Sequence, residues 1–246
     1  MSRRKKSSAS EKVTASNAAK YKLYLKNFEL TEKQQEFLKI AFDKNTKIIF
    51  VSGPAGSSKT FASIYASLQL FNMNMNQDIF YVRTIAESGE KNLGSLPGDV
   101  DEKFHPFMMP LQDKLEELLE KDQIRMLIEE NIIQCAPINY LRGASWANKI
   151  VIADESQNFT RKELITLITR IGENSKYFIC GDPMQSDING KTGFAPVMQV
   201  FDNEESKEQG IYTFRFTEED ILRSEILKFI VNKLENNLKN QNIKNG

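Results

Sequence analysis

One histidine, two cysteines and no long apolar run set the first limits on this chain of 246 residues. With His105 alone, neither a histidine-based metal site nor a Ser-His triad can lead. His105 stands before Pro106 and reads as structural or solvated. Cys135 and Cys180 each close a predicted buried strand. Such thiols read as small core hydrophobes in a reducing compartment, not as a disulfide or a metal site. No apolar stretch approaches the ~20 residues needed to span a bilayer, and the polar N-terminus shows no secretory signal. The expectation is therefore a cytoplasmic protein with no membrane partner. Net charge is zero, which argues against binding nucleic acid over the whole surface. The charge is uneven, however: Arg3, Arg4, Lys5, Lys6, Lys12 and Lys20 oppose only Glu11 near the N-terminus. A nucleic-acid arm is the sharp reading of that run; a solvated, disordered tail is preferred.

What remains is ordinary globular composition, 40% hydrophobic and 27% charged, in a chain long enough for a sizeable core. Residues 1–20 lack an apolar period and are expected to be disordered, 21–238 to form one domain, and 239–246 to fray. Tyr21–Phe28 reads as a short strand or an irregular lead-in. Strands are predicted at Ile48–Val51, Asp78–Thr84, Ile132–Ala136, Ile150–Ala153, Lys176–Cys180 and Ile211–Phe214. Helices are predicted from Thr31 to Phe42, on to Met73, at Asp99–Glu120, Ile124–Glu130, Thr160–Ile171 (with Gly172 as its stop), Gly193–Phe201 and Glu218–Leu238. Alternating strands and helices predict an α/β fold with a mostly parallel sheet covered on both faces.

The stretch KIIFVSGPAGSSKT, Lys47–Thr60, joins a buried strand to a helix through Gly53, Pro54, Ala55, Gly56, Ser57 and Ser58. Strand, glycine-containing loop, Lys-Thr and helix form the phosphate-cradling P-loop pattern. A nucleotide's phosphates need inward-pointing backbone N–H groups, which a loop at a helix N-terminus supplies. Lys59 adds charge on the β- and γ-phosphates, and the Thr60 hydroxyl is placed to hold Mg²⁺. Ser58 stands where the pattern has its second glycine. Its Cβ either crowds the phosphates or is tolerated at negative φ, and its hydroxyl could donate a hydrogen bond. The strand Ile150–Ala153 ends in Asp154 and Glu155, about 95 residues after the P-loop, where a P-loop protein needs them. Asp154 would hold Mg²⁺ opposite Thr60, and Glu155 would take a proton from the attacking water. Past the next strand comes Gly181-Asp182-Pro183-Met184-Gln185, where an amide can sense the γ-phosphate. Taken alone, it would be a plain turn.

In series, GPAGSSKT, SGEKNLGSLPGD, APINYLRGASW, VIADESQN, LITRIGENSKYFICGDPMQSD and FTEEDILRSEI resemble the PhoH-like family, over roughly Thr31 to Glu235. The resemblance implies a three-layer α/β/α P-loop NTPase with a RecA-like core related to superfamily-one helicases. It implies ATP and Mg²⁺ as ligands, ATP hydrolysis, and an association with phosphate starvation in bacteria and their phages. For a phage protein the compartment would be the host cytoplasm. It also implies a homo-oligomer, a hexameric ring among the forms, and single-stranded RNA as a partner. Carried onto this sequence, Lys59 and Thr60 match the phosphate and Mg²⁺ residues, Asp154 and Glu155 the Walker B pair, and Gln185 the sensing glutamine. Gln34 resembles an adenine-reading glutamine, against a helix-surface amide. Arg223 resembles a family arginine that could serve as an arginine finger, with Arg170 and Arg142 as competitors. Lys91, Arg142 and Trp146 could line a single-strand path, although a packed Trp146 is the preferred reading. The sequence departs from the family pattern at Ser58 and in DESQN, where DEAQN is usual. The leading expectation is an ATPase; the alternative is a nucleotide-binding switch or RNA-binding accessory with little turnover. A P-loop kinase is the weakest reading, since the tandem Asp-Glu argues for water as acceptor.

Overall fold

The computed structural model describes residues 22–73, 77–84, 100–138, 146–185 and 192–221, with further helical positions at 226, 229, 230 and 233. Of 100–107 it describes the backbone. The basic tail at 1–20, Lys91 and the glycine-rich loop around it, Arg142, Arg223 and the end at 239–246 lie outside these residues.

Six strands form one sheet: β1 (Ile48–Ser52), β2 (Asp78–Arg83), β3 (Ile133–Pro137), β4 (Lys149–Ala153), β5 (Lys176–Gly181) and β6 (Ile211–Arg215). Their order is β3-β2-β4-β5-β1-β6, and every pairing is parallel. The predicted α/β architecture is thus found, with a sheet that is parallel throughout. Parallel strands are buried on both faces, which is why β1 and β5 are apolar almost without interruption. Side chains alternate across the sheet. Ile49, Val51, Ile79, Tyr81, Ile152 and Phe178 enter one core layer, while Ile48, Phe50, Val82, Val151, Tyr177 and Ile179 enter the other.

Over the first layer lie α1 (Glu32–Phe42), α2 (Lys59–Asn72), α3 (Val100–Leu118) and α4 (Lys121–Glu129); over the second lie α5 (Arg161–Ile168) and α6 (Phe194–Val200). Capping boxes at Thr31/Gln34 and Thr160/Glu163 fix where α1 and α5 begin, each satisfying otherwise orphaned N–H groups. Pro106 and Pro110 lie inside α3 and do not break it.

Of the two readings of the lead-in, the irregular one is found at 22–30, and the helix ends depart from expectation. The lead-in is tied down because the Leu23 N–H donates to Asn72 Oδ1 at 2.8 Å and Asn72 Nδ2 donates back to the Leu23 carbonyl at 2.8 Å. Helix α5 ends at Ile168, with Thr169 as its cap. Gly172 therefore does not stop it; instead a Cβ there would come within 2.6 Å of the Ala147 backbone N. Short α7 (Glu204–Glu208), capped by Asn203, was not predicted. Glu218–Asp220 is a 3-10 turn closed by Thr217 and followed by extended Ile221, so no long helix starts at Glu218.

Candidate nucleotide site

The strand register decides which residues can meet. Ser52 is level with Gly181 of β5 and Arg215 of β6, and Ala153 is level with Val82 of β2 and Ile179 of β5. The carboxyl ends of β1, β2, β4 and β5 therefore share one edge, where α/β sheets bind ligands. A cavity of about 580 Å³ opens there, within the usual size range of ligand pockets. Its walls include Gly56, Ser58, Lys59, Thr60, Asp154 and Glu155, so the P-loop and the β4 carboxylates are brought together.

Within the P-loop, Gly53 lies against the backbone and Cβ of Phe216, leaving no room for a side chain. Gly56 has φ +81°, which glycine adopts without cost. Ser57 is buried and its hydroxyl donates to the Pro54 carbonyl at 2.8 Å. Ser58 has φ +67° and ψ 13°, and its side chain makes no capping bond. Tolerance at negative φ is thus overturned: Ser58 takes the left-handed conformation of the glycine it replaces, and lines the cavity. Lys59 is drawn inward, its Nζ donating to the carbonyls of Gly53 at 2.6 Å and Pro54 at 2.8 Å. Burial lowers its pKa, opposed chiefly by the negative charge of Asp182, with Glu155 and Asp154 adding to it.

Asp154 is 5% exposed, and both its oxygens are engaged. Thr60 Oγ1 donates to Oδ1 at 2.7 Å, and Tyr81 Oη donates to Oδ2 at 2.5 Å. Tyr81 is wholly buried, and burial first, then the Asp154 charge, raises its pKa. Glu155 is left-handed, with φ 51° and ψ 38°, a conformation of the kind that concentrates at functional sites. Gln157 Nε2 donates to Glu155 Oε2 at 2.5 Å, while Gln157 Oε1 accepts from the Asp182 N–H at 3.0 Å. Arg83 Nη2 stands 3.7 Å from Glu155 Oε1.

Gln34 is 2% exposed, so a helix-surface amide is excluded. Its Oε1 accepts from the Thr31 N–H at 3.0 Å, its Nε2 has no hydrogen-bond partner, and the residue lines the cavity beside Phe28, Leu30 and Phe61. Gln185 is exposed on the turn after β5, its N–H donating to the Asp182 carbonyl at 3.1 Å, and it is not part of the cavity wall. Arg170 lies at the opposite edge of the sheet, where its carbonyl accepts from the N–H of Trp146, ahead of β4. It is not among the residues that line the cavity. Trp146 is 5% exposed and packs on Phe80 and Tyr177, so the packed reading holds. Cys180 is wholly buried; burial first, then the Asp154 charge, pushes its pKa up to about 12. Cys135 is half-buried within β3, and both thiols are free.

Arg83 and Gln157, beside the carboxylates, also line the cavity although no motif announces them. The signal available for Arg83 is a cation ending a strand on the ligand edge, and for Gln157 an amide two residues past Glu155.

Among the described residues, no three His, Cys, Asp or Glu side chains converge as a metal cage, and no helix is long and apolar enough to cross a membrane. The donor set that could take a hard cation is the Thr60 hydroxyl with the Asp154 carboxylate. A hydroxyl and a carboxylate suit Mg²⁺, which keeps most of its remaining positions for water and substrate phosphates.

A family model described as "PhoH-like protein" matches residues 28–235. A PhoH-like protein of Synechocystis is 34% identical over 83% of this chain and 61% of its own. One of Bacillus subtilis is 32% identical over 80% of this chain and 60% of its own. The chain thus spans about 60% of the length of these relatives. Among solved structures, a Bacteroides Pif1 in complex with ADP-AlF4 overlaps 80% of this chain and 44% of its own, at 17% identity and a TM-score of 0.39.

Proposed function

The chain belongs to the family of PhoH-like proteins, and from that premise we propose that it binds ATP with Mg²⁺ at the carboxyl edge of its sheet and hydrolyses it. The observation that carries this reading is the convergence of Lys59, Thr60, Asp154 and Glu155 on one cavity. The unpartnered Gln34 Nε2 at the far wall supports a purine base as the other end of the ligand. A buried donor without an acceptor costs ~1–3 kcal/mol, which a ring nitrogen would recover.

In this reading the P-loop N–H groups and Lys59 take the phosphate oxygens. Lys59 must exchange the Gly53 and Pro54 carbonyls for them. Thr60 and Asp154 would hold Mg²⁺, which when bound neutralises phosphate charge. Tyr81 keeps Asp154 oriented from behind. Glu155 accepts a proton from a water whose oxygen bonds to the γ-phosphorus. The bond from that phosphorus to its bridging oxygen breaks, and the electron pair leaves with ADP.

A second reading, a nucleotide switch with little turnover, is favoured by Ser58, whose side chain occupies the cavity wall where the pattern has none. Homo-oligomers, a hexameric ring among them, and coupling to single-stranded RNA come from the resemblance alone and are proposals of the same standing. The deciding experiment is phosphate release from ATP, with and without single-stranded RNA, by wild type and Lys59→Ala. Turnover abolished by Lys59→Ala supports the ATPase, and RNA stimulation adds the coupling. Turnover untouched by Lys59→Ala sinks the P-loop assignment. Bound ATP without turnover makes the protein a switch.

A further inference from the structure

Arg83 ends β2 beside the carboxylates of β4. Side chains alternate along a strand, so Ile79, Tyr81 and Arg83 share one face. Ile79 and Tyr81 are buried in the core layer beneath α2, and the Tyr81 hydroxyl reaches Asp154. Arg83, two residues further, is carried to the rim, level with Asp154, whose N–H donates to the Val82 carbonyl at 2.8 Å. Its side chain is 24% exposed, lines the same cavity as Lys59 and Thr60, and stands 3.7 Å from the half-exposed Glu155. An ion pair that long and that wet is weak and readily exchanged.

On this placement, and resting on the ATPase reading above, we infer that Arg83 is a catalytic residue acting in cis. It pairs with Glu155 while the phosphate site is free and turns onto the γ-phosphate oxygens when ATP is bound. Two consequences are built in. The exchange frees Glu155 to receive the proton of the attacking water only when a phosphate is there to be attacked. It also sets a planar, permanently charged fork against the oxygens on which charge gathers as the bond to ADP breaks, a task for which a lysine is a poor substitute.

The test compares wild type, Arg83→Ala and Arg83→Lys in two assays. One is ATP turnover, separated into kcat and KM. The other is binding of ADP with and without aluminium fluoride, which with ADP mimics the transferring phosphoryl group. A residue made for the transition state should lower kcat by ~10³-fold or more while KM and the affinity for ADP stay within about threefold. Aluminium fluoride should tighten ADP binding to wild type and fail to do so for Arg83→Ala, with Arg83→Lys recovering part of the tightening. Unchanged or faster turnover by Arg83→Ala would overturn the inference, since Arg83 would then only restrain Glu155. An equal loss of ADP affinity and kcat/KM would overturn it too, as ground-state binding. If wild type neither binds ADP nor releases phosphate, the ATPase reading falls with it, so the two failures are distinguishable.

Discussion

Ser58 pays for its place in the P-loop with a left-handed backbone, φ +67°, which costs a residue with a Cβ roughly 1 kcal/mol or more relative to glycine. Ser58→Gly should therefore raise stability by about 1 kcal/mol, or a melting temperature by about 2–4 °C for a chain of this size. A melt that stays put or falls would mean that the hydroxyl contributes more than the strain removes. The same variant measured for phosphate release separates crowding from tolerance, since identical kinetics would clear the side chain of obstructing phosphate. Tyr81 presents the reverse case. Its hydroxyl is buried and its one described partner is Asp154 Oδ2. Tyr81→Phe removes a charge-assisted hydrogen bond and should cost about 1–3 kcal/mol in urea denaturation. Because the freed carboxylate oxygen can turn, the Mg²⁺ concentration giving half-maximal turnover should shift as well. Loss of stability without that shift would make Tyr81 a packing residue only. Neither effect is written in the sequence near position 81, where a tyrosine in DIFYVRT reads as one more apolar strand residue. The contact exists because β2 and β4 are neighbours in the sheet.

Helix α1 is held at both ends by side chains, and its far end depends on another element. Lys176, the first residue of β5, is 2% exposed, and its Nζ donates to the carbonyls of Ala41 and Asp43 where α1 stops. Burial lowers its pKa to about 8, against an opposing pull from Asp43. The folded state thus releases this proton near pH 8, whereas the unfolded chain keeps it to about pH 10.5. Between those values the unfolded state binds more protons, so this lysine makes stability rise with pH. Lys176→Met should lose that rise: the difference in unfolding free energy between wild type and variant should grow from pH 8 toward 10.5 and stay level below 8. A constant difference would show that the lysine is not shifted. Elements were legible where one local signal suffices. Apolar runs marked all six strands, and Thr31 and Thr160 marked two helix starts through their capping boxes. Ends set by tertiary contact were not legible. Gly172 looks like a helix stop but answers to the backbone of Ala147, and Glu218–Asp220 is helix-forming in composition yet closes a single turn. The P-loop and the β4 carboxylates could be read as motifs. The pairing of Arg83 with Glu155 could not, because it follows from strand order; Gln157, two residues past Glu155, belongs to no motif that the phosphate chemistry demands.

At the scale of the molecule, the described residues form one parallel α/β sheet with the candidate phosphate site at its carboxyl edge, and its arginines divide by position. Arg83 lies on the strand beside Asp154, so it serves the site of its own subunit. Arg170 lies at the opposite sheet edge, away from the cavity wall. Arg223, outside the described residues, is the arginine that the family resemblance nominates as a finger. In a ring or any head-to-tail oligomer, one face of each copy meets a different face of the next, so a finger can be supplied by the neighbour. Mixed oligomers of inactive variants separate these cases. Lys59→Ala mixed with Arg223→Ala leaves some sites with an intact Lys59 from one copy and an intact Arg223 from the next, and should regain part of the phosphate release. Lys59→Ala mixed with Arg83→Ala leaves no site holding both residues, because they belong to the same copy, and should stay inactive. Restoration in the second mixture would place Arg83 on a neighbour's nucleotide and contradict its action in cis. No restoration in the first, with mixed oligomers demonstrated by size-exclusion chromatography of differently tagged chains, would remove Arg223 as a finger supplied in trans and favour its action in cis or one of the other arginines, Arg83 among them.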